Sequence, residues 1–462
     1  MFAHGCILAT AGGEHQTEAG LALAAALRSG HLRPVTDTST DPVGLPARRA
    51  ALDLLSSALA RRAGMEEATT RPSFSGLAPR DRGFAYALVL ATLRHLGPID
   101  RALDAKLGKA PPDAVRNILR MGAAQAFVMG TPAFAAVGTS VDLAAAVRET
   151  RPFKGLVNAV LRALTREPPD LTDPATFAPS WLYARWQAAF GEAQARGIAT
   201  QIISEPATDL TPKSTTSSPP DELEVEPLVG GSWRSALRGD VSTWPGFSEG
   251  DWWVQDASAA IPTRLFGLTS GQTALDLCAA PGGKTLQLAS TGASVVAVDR
   301  SASRLARVNE NLLRAGLTAE TAVAEAGSWS DSRTFDAVLL DAPCSATGTF
   351  RRNPDVLWAA RPSDIAALAA VQTRLLDSAA RRVKPGGRLI YCVCSLEPEE
   401  GEGQVEAFLS RTPNVVLDPI TAGEGGAPTV SLRLDGTLRI LPHHLSGGTD
   451  GFYIARFRAA AD

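Results

Sequence analysis

The hydrophobic period of the chain changes near residue 251, and this change restricts the fold more than any other feature. From there on, short β-like apolar runs alternate with helical segments, and the runs are TALDLCA, SVVAVDR, TAVAEA, FDAVLLDAP and GRLIYCVCS. Strands that alternate with helices form a mostly parallel sheet with helices on both faces. Residues 251–462 are therefore predicted to form a doubly wound α/β domain. Residues 428–442 and 451–459 are predicted to pair as antiparallel strands at its edge.

Residues 44–167 follow a helical period instead. Apolar side chains recur every three or four positions in RRAALDLLSSALARR and FKGLVNAVLRAL, which predicts a compact all-helical domain. The region holds 18 Lys and Arg against 10 Asp and Glu, whereas the whole chain has a net charge of −3. A basic helical surface of this kind either binds a polyanion or is simply solvated.

Two further regions complete the chain. Residues 168–250 carry two proline-rich stretches around one helix-like stretch, and they are predicted to form a connector with some structure of its own. Residues 1–43 are rich in Gly, Ala and Thr and are predicted to be a loose leader without an assigned function.

Cysteine number and hydropathy exclude several classes of protein. The five cysteines are odd in number and show no paired spacing, which argues against a disulfide scaffold and a zinc finger. No apolar run reaches the roughly 18 residues that span a bilayer, and the N-terminus lacks the pattern of a signal peptide. We therefore expect a cytoplasmic protein without a membrane segment, and we expect it to be monomeric.

A glycine-rich turn, DLCAAPGGKT at residues 276–285, follows the first strand of the α/β region. Such a turn lets backbone N–H groups approach an anion or a carboxylate at a helix N-terminus. A nucleoside triphosphate loop would need glycine where Cys278 stands, and the dinucleotide pattern G-x-G-x-x-G is absent. The remaining candidate ligand for this turn is an S-adenosyl sulfonium donor with an amino-acid tail. Asp299 ends the second strand at a spacing that suits ribose hydroxyls, and Glu325 ends the third, where it would touch the adenine edge.

Cysteines stand near the ends of the next two strands. The fourth strand runs into Asp341 and Cys344, and the fifth into Cys392 and Cys394. In an open α/β sheet, reactive groups collect at the carboxyl ends of the strands. Carbon 5 of a pyrimidine accepts a methyl group only after a thiolate has added at C6. An acid must relieve the charge on the ring, for which Asp341 is well placed, and a base must then remove the C5 proton.

Two of these cysteines compete as the nucleophile. Cys392 and Cys394 point to the same face of the strand, but Cys392 lies deeper and suits an ordinary core position. Cys394, at the strand end, is therefore the predicted nucleophile. A metal site formed by this pair with His443 and His444 is the weaker alternative, because the histidines show no ligand pattern.

The motifs CAAPGGKT, DAPCSATG followed by RRNPD, and CSLEPEE resemble the signature of the RsmB (Sun) family of bacterial 16S rRNA cytosine-C5 methyltransferases. The helical region with FKGLVNAVLRAL resembles NusB. The resemblance covers roughly residues 44–460. It implies an all-α, NusB-like, RNA-binding domain ahead of a Rossmann-like methyltransferase domain that uses S-adenosyl-L-methionine.

The resemblance also implies roles for single residues. Cys394 would attack the base and Cys344 would assist release, while Asp341 and Asp299 would join the cofactor contacts. Glu325 stands where the family usually has aspartate, and Gly401 where it commonly has asparagine. The cofactor loop itself would consist of Cys278, Ala279, Ala280, Pro281, Gly282, Gly283 and Lys284.

Arg351 and Arg352 follow the Cys344 loop and would suit phosphates beside a base flipped out of structured RNA, although an exposed turn is the simpler interpretation. The leading hypothesis is methyl transfer from S-adenosyl-L-methionine to C5 of a cytosine in 16S rRNA. Transfer RNA is the alternative target. A protein of another class, a non-catalytic RNA-binding module for ribosome assembly, is the second alternative.

Overall fold

The computed structural model describes residues 44–60, 64–214 and 216–461. The predicted leader, residues 1–43, lies outside the described residues. No helix in the described ranges is long and apolar enough to cross a membrane.

Helices alone form the N-terminal part of the described chain, as the helical period predicts. Their apolar faces enclose one core, in which Leu55, Leu88 and Ile118 are fully buried. Prolines in the first turn suit several helix starts, because proline has no N–H to leave unpaired there. The helices are α1 (Leu45–Leu59), α2 (Gly64–Thr69), α3 (Pro72–Ser75), α4 (Pro79–Arg94), α5 (Leu96–Asp104), α6 (Asp113–Phe127), α7 (Ala133–Ala146) and α8 (Lys154–Arg166).

The region predicted as a connector has more regular structure than its sequence suggests. The single helix-like stretch is two helices, α9 (Ser180–Phe190) and α10 (Glu192–Thr200), because Gly191 between them adopts a positive φ of 83°. A small antiparallel sheet with the strand order β2-β3-β1-β4 follows. Its strands are β1 (Thr208–Pro212), β2 (Val225–Pro227), β3 (Trp233–Ser235) and β4 (Trp252–Val254). The last strand lies beyond the predicted connector boundary at residue 250.

The C-terminal part is a doubly wound sheet with the order β10-β12-β9-β8-β5-β6-β7, and β11 pairs with β12. Strands β5 to β9 are parallel, which confirms the predicted α/β fold. The strands are β5 (Thr273–Leu277), β6 (Ser294–Asp299), β7 (Glu320–Val323), β8 (Phe335–Asp341), β9 (Val383–Val393), β10 (Val415–Leu417), β11 (Leu438–Ile440) and β12 (Phe452–Ala459). The helices are α11 (Ala257–Arg264), α12 (Gly283–Ser290), α13 (Ala302–Arg314), α14 (Asp355–Ala359), α15 (Pro362–Ala380) and α16 (Glu402–Arg411).

The predicted edge pair needs a correction. Strands β11 and β12 do pair antiparallel, with Leu438 opposite Ile454. However, β12 lies between β9 and β10 and is not an edge strand. It pairs with β9 from Arg458, opposite Arg388, to Tyr453. The sequence could not reveal this position, because the partner strand lies far away in the chain.

Candidate functional site

The glycine-rich turn leaves β5 at Cys278 and enters α12. The buried carboxylate of Asp299, at the end of β6, braces the turn: its Oδ2 accepts from Ala280 N at 3.1 Å and its Oδ1 from Ser301 N at 2.9 Å. Gly282 has a φ of 108°, and an added Cβ there would lie 3.2 Å from the side chain of Val308. This position therefore requires glycine.

The two cysteines predicted to react lie together. The Sγ atoms of Cys344 and Cys394 are 3.5 Å apart, and both side chains are largely buried. A pocket of about 80 Å³ lies beside them, and Cys278 and Asp341 also line it. The thiols and the glycine-rich turn thus share one opening.

Asp341 connects this pocket to two donors. Its Oδ2 accepts from Lys284 Nζ at 2.8 Å, and the thiol of Cys392 lies 3.6 Å from its Oδ1. Lys284, the last residue of the predicted cofactor loop, is itself buried. The carboxylate of Asp341 is therefore held at the pocket wall in one orientation.

Electrostatics distinguish the cysteines only in part. The hydrogen bond with Cys344 and burial both raise the pKa of Cys394, whereas the positive charge of Lys284 lowers it. Burial also raises the pKa of Cys392, which is fully buried and does not line the pocket. Cys394 borders the pocket, so it is the better placed of the two to meet a substrate.

Glu325 lies near the site but not at a strand end. Strand β7 ends at Val323, and the Glu325 side chain is exposed two residues further on. It is close enough to help raise the pKa of Cys278, after burial and the charges of Asp299 and Asp341. The end of this strand was predicted two residues too late. Glu325 nevertheless lies close to the glycine-rich turn.

The two arginines predicted to contact RNA phosphates have partners inside the protein. Arg351 is 1% exposed, and its Nη2 donates to the carbonyl of Gly447 at 2.6 Å. Arg352 forms an ion pair with the buried carboxylate of Asp256 and lies 3.7 Å from Asp450. Arg351 is therefore not available to an RNA phosphate. The Arg352 side chain is 27% exposed, and its contact with RNA stays a prediction.

The histidines of the alternative metal site have other partners. His443 Nε2 lies 2.6 Å from Gln194 Oε1, and His444 Nδ1 lies 2.9 Å from Ser431 Oγ. Within the described ranges, no group of His, Cys, Asp or Glu is arranged to hold a metal ion.

The sequence analysis missed one residue of the site. Glu400 is fully buried, and its carboxylate contacts Ser345 and Ser395, which directly follow the two pocket cysteines. The quoted motif CSLEPEE contains Glu400, but an acidic pair after a proline is typical of an exposed turn. The motif does not indicate that Glu400 is buried, and its contacts with the two serines depend on that burial.

Comparison with known proteins identifies two matching families. The family described as 16S rRNA methyltransferase RsmB/F matches residues 264–458, and the NusB family matches residues 45–166. The ribosomal RNA small subunit methyltransferase B of Cronobacter sakazakii is 34% identical over 403 residues, which cover 82% of this chain and 90% of that protein.

Solved structures show the same fold. The crystal structure of PH0851 matches with a TM-score of 0.72 and 24% identity, covering 90% of this chain and 99% of that chain. NSun6 from Pyrococcus horikoshii with SFG matches with a TM-score of 0.52 and 20% identity, covering 62% of this chain and 99% of that chain. Fold and site together define a Rossmann-like methyltransferase with a NusB-like helical region before it. The chain belongs to the RsmB/F family of 16S rRNA methyltransferases and is an rRNA methyltransferase.

Proposed function

We propose that this chain transfers a methyl group from S-adenosyl-L-methionine to C5 of a cytosine in 16S rRNA, through a covalent bond between Cys394 and C6 of the base. The observation that carries the proposal is the pair of thiols 3.5 Å apart beside a pocket that the glycine-rich turn also lines. A thiolate that adds at C6 is the group that makes C5 nucleophilic.

Residues 278–284, with Asp299, Glu325 and Asp341, are proposed to hold the cofactor. Burial, and after it the charges of Asp299 and Asp341, raise the pKa of the Cys278 thiol, so carboxylates lie close to this turn. An acidic site suits the sulfonium and amino groups of S-adenosyl-L-methionine, and carboxylates also suit ribose hydroxyls. The NSun6 structure contains SFG, an analogue of this cofactor. When bound, the cofactor supplies an electrophilic methyl group.

Asp341 is proposed to act on the ring of the base. Attack by Cys394 at C6 places negative charge on the ring. Asp341 in its protonated form would neutralise it by giving a proton to the ring, and that proton would return to Asp341 on release. Lys284 and Cys392 fix the Asp341 carboxyl group at the pocket wall for this task. Lys284 also supplies the positive charge that favours the thiolate of Cys394.

Cys344 is proposed to assist release. After methyl transfer, Cys344 as its thiolate would take the C5 proton, and the electrons of the C5–H bond would form the C5–C6 double bond as the bond between C6 and the sulfur of Cys394 breaks. This restores the aromatic ring and releases Cys394 as its thiolate. The Cys344 sulfur lies 3.5 Å from the Cys394 sulfur. It is therefore placed to act at this last step.

Single cysteine variants test these roles. Cys394→Ala should abolish both turnover and any covalent RNA adduct, whereas Cys344→Ala should permit attack and accumulate a stalled adduct. Cys392→Ala is the matched control for loss of a buried thiol. It removes the weaker of the two Asp341 contacts and keeps the hydrogen bond from Lys284, so it should still form the adduct. Adducts are measured as protein–RNA species that survive denaturing electrophoresis. Adduct formation by Cys394→Ala, together with none in Cys344→Ala, would reverse the assignment.

The RNA target and the rival class need a separate experiment. The protein is incubated with tritiated S-adenosyl-L-methionine and either 16S rRNA or transfer RNA, and the methylated nucleoside is identified. Methyl transfer to cytosine of 16S rRNA is the expected result. Transfer to transfer RNA alone would favour the alternative target, and binding without transfer would favour the non-catalytic module. Residues 44–167 are proposed to help dock the RNA, through the basic excess in their sequence.

A further inference from the structure

The buried carboxylate of Glu400 joins the two loops that carry the pocket cysteines. Its Oε1 accepts from the backbone N–H of Ser345 at 2.9 Å and from Gln372 Nε2 at 3.0 Å. Its Oε2 accepts from the hydroxyls of Ser345 and Ser395, the latter at 2.5 Å. Four donors converge on one side chain, which suits an ionised carboxylate, because only that form accepts at both oxygens and donates at neither.

The positions of the two serines in the chain connect the Glu400 carboxylate to both pocket cysteines. Ser345 directly follows Cys344, and Ser395 directly follows Cys394. The two cysteines are 50 residues apart in the chain and lie beyond the ends of different strands. The distance between the two thiols is therefore set by tertiary packing. Glu400 contacts the residue that directly follows each of the two cysteines. Hydrogen bonds to a charged acceptor are stronger than neutral ones, so the contact is a stiff one.

Glu400 is itself fixed to the sheet and to a helix. Its carbonyl accepts from the hydroxyl of Tyr391, a residue of β9, at 2.6 Å. Gln372 of α15 donates to the carbonyl of Pro343 at 3.0 Å as well as to Glu400. Hydrogen bonds therefore hold the Cys344 loop on both sides of its cysteine. Pro343 is linked to the Glu400 carboxylate through Gln372, and Ser345 is bound to it directly.

We propose that Glu400 is a positioning residue that holds Cys344 within reach of Cys394 for the release step. The inference rests on the proposed function, in which attack needs Cys394 but not Cys344, whereas release needs both cysteines. Loosening the two loops should therefore slow release more than attack. The covalent RNA adduct should then accumulate, as is expected for Cys344→Ala.

The test replaces Glu400 with glutamine, which keeps the size of the side chain but turns one acceptor into an N–H donor that faces other donors. Glu400→Gln is expected to slow turnover by about 10- to 100-fold, the scale for a misplaced catalytic group. The fraction of enzyme trapped as adduct should rise well above that of the wild type. Glu399→Gln is the matched control, because Glu399 is exposed and pairs with Arg185 outside the pocket. It should behave as the wild type does.

A combined variant separates positioning from general destabilisation. If Glu400 acts through Cys344, adding Glu400→Gln to Cys344→Ala should not raise the adduct level further, because the step is already blocked. Ser345→Ala is a milder variant that removes one hydroxyl donor and keeps the backbone donor. It should accumulate adduct to an intermediate level. If Glu400→Gln does not fold, the adduct level of Ser345→Ala tests the positioning role of Glu400.

The outcomes distinguish this inference from the proposed function. If turnover and adduct fall together in both Glu400→Gln and Ser345→Ala while Cys344→Ala still accumulates adduct, the role of Glu400 is only structural and the inference is overturned. If neither the wild type nor Cys344→Ala forms an adduct with a cytosine-containing RNA, the covalent mechanism itself fails.

Discussion

Replacing Asp276 with asparagine should remove a pH dependence of stability that originates beneath the glycine-rich turn. Asp276 is the fourth residue of β5 and is fully buried. Its Oδ2 accepts from Thr285 Oγ1 at 2.6 Å, which joins β5 to α12. Its Oδ1 has no hydrogen-bond partner among the described residues. Burial raises the pKa of this carboxyl group from 3.8 to about 7.

The sign and size follow from linkage. Because the folded state holds the proton more tightly than the unfolded chain, the stabilisation is fully present below pH 3.8 and is lost as the pH rises through about 7. One pKa unit corresponds to about 1.4 kcal/mol, so the free energy of unfolding should fall by about 2 to 3 kcal/mol between pH 5 and 7 through this group. Asparagine keeps the acceptor for Thr285 and cannot ionise.

The assay is denaturant unfolding of the wild type and Asp276→Asn at several pH values from 5 to 8. The difference in free energy of unfolding should shift in favour of the variant as the pH rises. Asp336→Asn serves as the control: its donors, Lys384 and Thr273, hold the pKa of Asp336 at about 2, so its effect should be constant in this window. Parallel curves for the wild type and Asp276→Asn would refute the reasoning, because they would mean that Asp276 is already ionised in the folded protein.

Two further substitutions have defined expectations. Gly282→Ala should cost about 1 to 2 kcal/mol for the positive φ alone, and the contact with Val308 should displace the turn and weaken binding of S-adenosyl-L-methionine, as measured by calorimetry. Unchanged affinity would show that the turn tolerates a Cβ. Arg352→Ala should lower stability by about 3 kcal/mol, because it leaves Asp256 buried without its ion-pair partner. A loss of RNA affinity at unchanged stability would instead support the predicted contact of Arg352 with an RNA phosphate.

Local patterns in the sequence account for the larger part of the fold. The five apolar runs that end in turns correspond to β5 through β9, and the helical period of the N-terminal region corresponds to α1 through α8. These features depend on neighbours within a few residues, since the periods of strand and helix repeat over that distance. For the same reason, the short strands β2, β3 and β4 were missed, because three residues do not display a period.

Particular residues show where local reasoning fails. Arg351 has the sequence context of a surface loop, yet the segment around Gly447 covers it and accepts its hydrogen bond. Glu400 likewise sits in an acidic turn but is buried by α15 and the two cysteine loops. In both cases the deciding partner lies tens of residues away, and a charge pattern carries no information about what will cover it.

Residue types and short-range spacing are enough to predict the class of fold, the glycine-rich turn and the cysteines of the site, because none of these features needs a distant partner. Only the packing of distant segments brings two thiols 50 residues apart to 3.5 Å, places Cys392 beside Asp341 and lets Glu400 contact both cysteine loops. The physical reason is that strand order and loop packing set these distances, and both arise from contacts between distant parts of the chain.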